Sequence, residues 1–138
     1  MENKKVLVSS CLLGVSCRWH GKKLYLSTFV KRFIKEHPDI ELISVCPEML
    51  GGLPCPRPPI KRRNGKAFFT CADKKLRKDV TGEEVTNILE KGANITLKKA
   101  RDNNIKLAIL CNWSPSCDIR GFTGKLLSEN DIEVINTW

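Results

Sequence analysis

Four short runs of apolar and β-branched residues recur along the chain: Lys5–Ser9, Glu41–Val45, Lys106–Leu110 and Ile132–Ile135. Their length and their bounding by polar and turn residues predict buried strands. Two helical patterns lie between them. The first opens at Ser27, a suitable N-cap, and sets Phe29, Val30, Phe33 and Ile34 on one stripe before His37-Pro38 ends it. The second opens with Thr81 and Glu84 at capping-box spacing. Val85, Ile88, Leu89, Ala93 and Ala100 then follow at helical spacing to about Asn104. Strand–helix–strand alternation of this kind predicts an α/β protein, a small three-layer fold with a mostly parallel sheet.

Residues 51–79 break the pattern. Gly51-Gly52-Leu53-Pro54-Cys55-Pro56-Arg57-Pro58-Pro59 should run extended, because each proline disfavours helix in the residue before it. Ala67-Phe68-Phe69-Thr70-Cys71 is expected to form one arm of a basic hairpin insertion, with Leu76–Val80 as the other.

With 138 residues, 41% of them hydrophobic, the chain is expected to form one domain over residues 1–138. No apolar run approaches the roughly 18–20 residues of a membrane span, and the apolar stretch after Met1 is too short for a signal peptide. A cytoplasmic location is therefore expected, where thiols stay reduced. The net charge of +9 is concentrated: Arg57 to Lys78 holds nine basic residues and one acidic one. Such a stretch can bind the phosphates of RNA or stand as a solvated hairpin, and no RNA-binding fold signature accompanies it.

The reducing compartment changes how the seven cysteines read. An odd number there points away from disulfides and toward metal, cluster or catalytic use of some of them, while the rest pack as small apolar residues. Cys11 follows the first strand, Cys46 the second, and Cys111 and Cys117 the third. In an open α/β sheet the loops after the strands share the carboxyl edge, where ligands bind. Topology thus delivers sequence-distant thiols to one place, although no pair has zinc-ribbon spacing. Pro47 suits the first position of a helix, which puts Cys46 at its N-cap, where a thiol's pKa falls. Cys17 is near enough to Cys11 to support it. Cys111 is a spare ligand or a core thiol, and Cys55 and Cys71 are structural.

Glu48, two residues after Cys46, is the candidate acid or base; otherwise it is a first-turn carboxylate facing the helix dipole. Ser114, held by Pro115, either orients substrate or water or simply makes a turn.

Several segments together resemble a known family. They are Val8-Ser9-Ser10-Cys11-Leu12-Leu13-Gly14, Cys17-Arg18, Val45-Cys46-Pro47-Glu48-Met49-Leu50-Gly51-Gly52-Leu53-Pro54, Pro56-Arg57-Pro58-Pro59, Asp79-Val80-Thr81, Ser114-Pro115-Ser116-Cys117 and Gly121-Phe122-Thr123-Gly124-Lys125-Leu126. They are similar to a bacterial family, formerly a domain of unknown function, whose characterised members are thiouracil desulfidases. The resemblance implies a [4Fe-4S] cluster held by Cys11, Cys46 and Cys117 with one iron open. It implies non-redox desulfuration of a thiolated pyrimidine such as 2-thiouracil, with Glu48 as acid/base and Ser114 as catalytic serine. A small thiolated base is then the expected partner.

One region departs from the family pattern. Asp118 stands where relatives usually have glycine, and only Leu127–Asp131 separates Leu126 from the last strand. Parallel crossovers want a dozen or more residues, so the last strand is expected at an edge or antiparallel. Two other function classes remain open on the sequence: a cluster- or zinc-bearing RNA-binding module using Arg57–Lys78, and a scaffold that has lost its metal.

Overall fold

The computed structural model describes residues 4–17, 21, 24–55, 57–70 and 83–138. Six strands and four helices form among the described residues: β1 (Lys4–Ser9), α1 (Thr28–Glu36), β2 (Ile40–Val45), α2 (Pro47–Leu50), β3 (Ile60–Arg63), β4 (Lys66–Phe69), α3 (Thr86–Asp102), β5 (Leu107–Cys111), α4 (Phe122–Glu129) and β6 (Glu133–Thr137). A 3₁₀ turn, Ser10–Leu12, follows β1.

The main sheet has the order β2-β1-β5-β6, and every pairing in it is parallel. Val6, Leu7 and Val8 of β1 and Ala108, Ile109 and Leu110 of β5 are fully buried, as the two central strands of a covered parallel sheet must be. Connections leave β1 toward one edge and β5 toward the other. Right-handed crossovers in opposite directions therefore place α1 on one face and α3 with α4, which pack on each other, on the opposite face. The point where the order reverses lies between β1 and β5, which is where a crevice opens at the carboxyl edge of such sheets.

Helix α1 starts as its sequence predicts: the Ser27 hydroxyl accepts from the Val30 N–H at 3.4 Å. Of its apolar stripe only Val30 is fully buried, while Phe29 and Ile34 remain exposed. The second helix departs from expectation. It begins at Thr86, not in a Thr81–Glu84 box, and Thr81 lies outside the described residues. The residues just before it are already paired with β4: Phe69 N–H donates to Glu83, and Val85 N–H donates to Ala67 at 2.8 Å. A backbone engaged in a strand-like pairing cannot enter the helix earlier.

The basic hairpin is also corrected. Lys66–Phe69 is one arm, but its partner is Ile60–Arg63, antiparallel, and the expected arm Leu76–Val80 lies outside the described residues, as does Cys71. Asn64-Gly65 makes the turn, with φ of 51° and 77°. Asn-Gly is the two-residue hairpin signal. The consecutive charges Lys61, Arg62 and Arg63 before it replace the apolar alternation that would mark a strand. Beneath the hairpin a second small core gathers Leu53, Ala67, Val85 and Leu89.

The last strand sits at the sheet edge but runs parallel to β5, so the antiparallel alternative falls. A two-turn helix fits between Cys117 and β6 because α4 starts directly on the cysteine loop. Among the described residues, no helix is long and apolar enough to cross a membrane.

Candidate functional site

The carboxyl ends of β1 and β5 meet through one hydroxyl. Ser9, the last residue of β1, donates from Oγ to Cys117 Sγ at 3.2 Å and accepts from the Cys111 N–H at 3.0 Å. Cys11 follows in the 3₁₀ turn. Burial pushes the Cys117 thiol up to about 12, with the Ser9 hydroxyl opposing.

Cys46 occupies the N-cap of α2 and Pro47 its first position, as the sequence predicts. Its thiol is lowered from the ordinary range, first by a hydrogen bond from Cys17, against the opposing effect of burial, and then by the Met49 N–H. Cys17 is buried and bonded to both Cys11 and Cys46, and those bonds and its burial hold it as the protonated partner. Close helix packing sets the position of α2. A Cβ on Gly92 of α3 would stand 1.9 Å from the Pro47 carbonyl oxygen, so only glycine permits the approach.

Arg57 completes this side. Its side chain is 1% exposed and forms an ion pair with Glu48, itself 12% exposed. Nη1 also donates to the carbonyls of Cys17 at 3.0 Å and Pro54 at 3.1 Å. One guanidinium thereby fixes the Glu48 carboxylate relative to the Cys17 loop. Cys55 ties the same segment down by donating to the Ser16 carbonyl at 2.9 Å.

The loop after β5 is held differently. Ser114 Oγ accepts from the N–H groups of Ser116 and Cys117 at 3.2 and 3.1 Å, the turn geometry its proline neighbour suggested. Asp118 accepts from the Trp113 N–H at 3.1 Å and the Arg120 N–H at 3.0 Å. Burial works against its charge, but these bonds and the Arg120 guanidinium keep its carboxyl below the usual range. Gly124 of α4 lets the helix abut this loop: a Cβ there would lie 2.1 Å from the Asp118 carbonyl oxygen.

These three segments enclose a cavity of about 570 Å³ whose wall includes Cys11, Cys17, Cys46, Glu48, Cys117 and Ser114. All five residues singled out as site candidates, and Cys17 beside them, thus border one space. Among the described residues no three His, Cys, Asp or Glu side chains close on a point as one metal ion would require. A cubane presents a separate iron to each thiolate, so its ligands surround a volume instead of a point. Thiols distributed around a cavity fit that group.

Arg57 and Ser9 were missed as site residues. By sequence Arg57 belongs to the basic stretch, although Pro58-Pro59 separates it from Lys61 and sets it apart. Turned inward, it offers no phosphate contact. Lys61, Arg62, Arg63 and Lys66 remain on the hairpin, and the basic residues from Lys74 to Lys78 lie outside the described residues. Cys111 is buried at the end of β5 and also borders the cavity.

The sequence profile of the family described as 2-thiouracil desulfurase matches residues 6–136. An uncharacterized protein of Bacillus subtilis (strain 168), YbbK, is 34% identical over 112 residues, covering 81% of this chain and 72% of the relative. The solved structure of the [4Fe-4S]-dependent thiouracil desulfidase TudS is similar with a TM-score of 0.77 at 28% identity, over 96% of this chain and 90% of that one.

Proposed function

The chain belongs to the 2-thiouracil desulfurase family, and on that premise we propose that it is a desulfidase that removes sulfur from a thiolated pyrimidine such as 2-thiouracil. The overall change is exchange of ring sulfur for the oxygen of water with release of sulfide, and no electrons are transferred. The observation that carries this reading is the convergence of Cys11, Cys46 and Cys117 with Glu48 on one cavity.

Cys11, Cys46 and Cys117 would hold a [4Fe-4S] cluster, and when bound it supplies a Lewis-acidic iron with an open position that polarises a C=S group. Cys17 donates toward two of these sulfurs and so orients them. Glu48 carries a proton to the ring nitrogen or from the attacking water, and Arg57 keeps its carboxylate in one orientation. The Ser114 hydroxyl accepts two backbone N–H groups, which leaves its own proton to donate to a substrate oxygen or to water. Exposed to oxygen, such a site would be lost, and we place the protein in the reducing cytoplasm.

The test is made on anaerobically purified protein. Wild type should be brown, with broad visible absorption, and should release sulfide from 2-thiouracil. Glu48→Gln should keep the colour and lower turnover by about 10²–10⁴-fold, because the amide cannot exchange a proton. Cys46→Ser should lose the colour itself. A coloured Glu48→Gln protein with wild-type turnover would leave Glu48 a helix-start carboxylate, and a colourless wild type would end the reading.

A further inference from the structure

Trp113 is out of place by every general measure. It is 70% exposed, although tryptophan is the side chain with most to gain from burial. Its backbone has φ of 62°, a region that a bulky non-glycine residue rarely adopts. Such a conformation persists only where its surroundings over-determine it, and such positions cluster at ligand sites. Here Asp118 supplies that constraint: one carboxylate oxygen accepts the Trp113 N–H, and the other takes the Arg120 N–H at 3.0 Å and Nε at 3.4 Å. Arg120 in turn stands 6.0 Å over the indole centroid. Trp113 nevertheless borders the cavity, one residue before Ser114.

We propose that Trp113 is a substrate-positioning platform on which the planar ring of the heterocycle stacks, held in place by Asp118 and Arg120. The proposal rests on the desulfidase reading for the kind of ring, but not for the stacking. The Asp118–Trp113 bond gives a purpose to the residue that follows Cys117: it sets the aromatic wall. Stacking favours flat conjugated rings over puckered ones with the same hydrogen-bonding edge, and that difference isolates it from a structural role.

Uracil and 5,6-dihydrouracil present the same imide edge, but only uracil is fully flat. Binding of each to the holoenzyme is measured by calorimetry, alongside steady-state kinetics with 2-thiouracil, for wild type, Trp113→Ala and Trp113→Phe. Wild type should prefer uracil. Trp113→Ala should weaken uracil binding and raise KM by about 10- to 100-fold, the usual worth of one base–aromatic stack, with kcat and visible absorption little changed. Its preference for uracil over dihydrouracil should disappear, and Trp113→Phe should restore most of both. Equal weakening for the two probes, an unchanged KM, or loss of the cluster's colour in Trp113→Ala would each overturn the proposal. A wild type that binds uracil selectively but releases no sulfide from 2-thiouracil would uphold the platform and reject the desulfidase reading.

Discussion

Arg57 and the hairpin that follows it carry the same charge into opposite environments. The Arg57 side chain is buried to within 1% of complete and answers Glu48 and two carbonyls with fixed geometry. The basic residues at the hairpin tip stand in solvent: Arg63 and Lys66 are exposed, and the Lys66–Glu84 pair, at 3.9 Å, is open to water on both sides. Counted along the chain they form one basic stretch. Physically they are two populations, because burial makes a charge expensive to leave unpaired whereas water screens an exposed one. A run of like charge therefore says little about function until the fold has sorted it.

Arg57→Ala tests this difference with the largest expected effect. It strands Glu48 without a counter-charge and leaves two carbonyls without their donor, and should cost about 3–5 kcal/mol in urea unfolding. A loss no larger than that of a surface residue would erase the contrast between the two populations. Gly92→Ala sharpens it from the packing side. The added Cβ would meet the Pro47 carbonyl at 1.9 Å, so α2 must shift and carry Cys46 and Glu48 with it. Overpacking of this kind should cost about 1–3 kcal/mol, and the visible absorption per protein should fall in the same variant. If stability and absorption both held, α2 would not depend on α3 for its position. The smallest effect is expected on the hairpin. Arg63→Gln with Lys66→Gln should change stability by no more than about 0.5 kcal/mol and leave sulfide release at the wild-type rate. Ile60 and Lys61 at the base of the hairpin border the cavity, so a marked loss of turnover there would mean that its tip takes part in the site as well.

Much of the fold was legible in the chain. The four strands of the main sheet lie within two residues of their expected bounds, and Ser27 and Cys46-Pro47 begin their helices as written. These signals are local: period, cap chemistry and proline geometry act within a few residues. The errors share the opposite property. Thr81 and Glu84 had the spacing of a helix start, but the backbone of Glu83 and Val85 pairs with β4, which lies more than a dozen residues earlier. The last strand, expected at an edge or antiparallel, does lie at the edge, and it runs parallel because Gly124 lets α4 begin against the Cys117 loop.

The candidate site divides in the same way. Cys11, Cys46 and Cys117 could be read as neighbours from sequence because each follows a strand, and parallel strands present their carboxyl ends at one edge whatever else the chain does. Glu48 came with Cys46 because two residues cannot part far. Arg57 facing inward, Ser9 bridging β1 to Cys117 and Cys111, and Trp113 locked by Asp118 were decided only in the tertiary structure. Each depends on which side of a segment turns toward a cavity that exists only after three loops have met, and no rule of local spacing contains that direction.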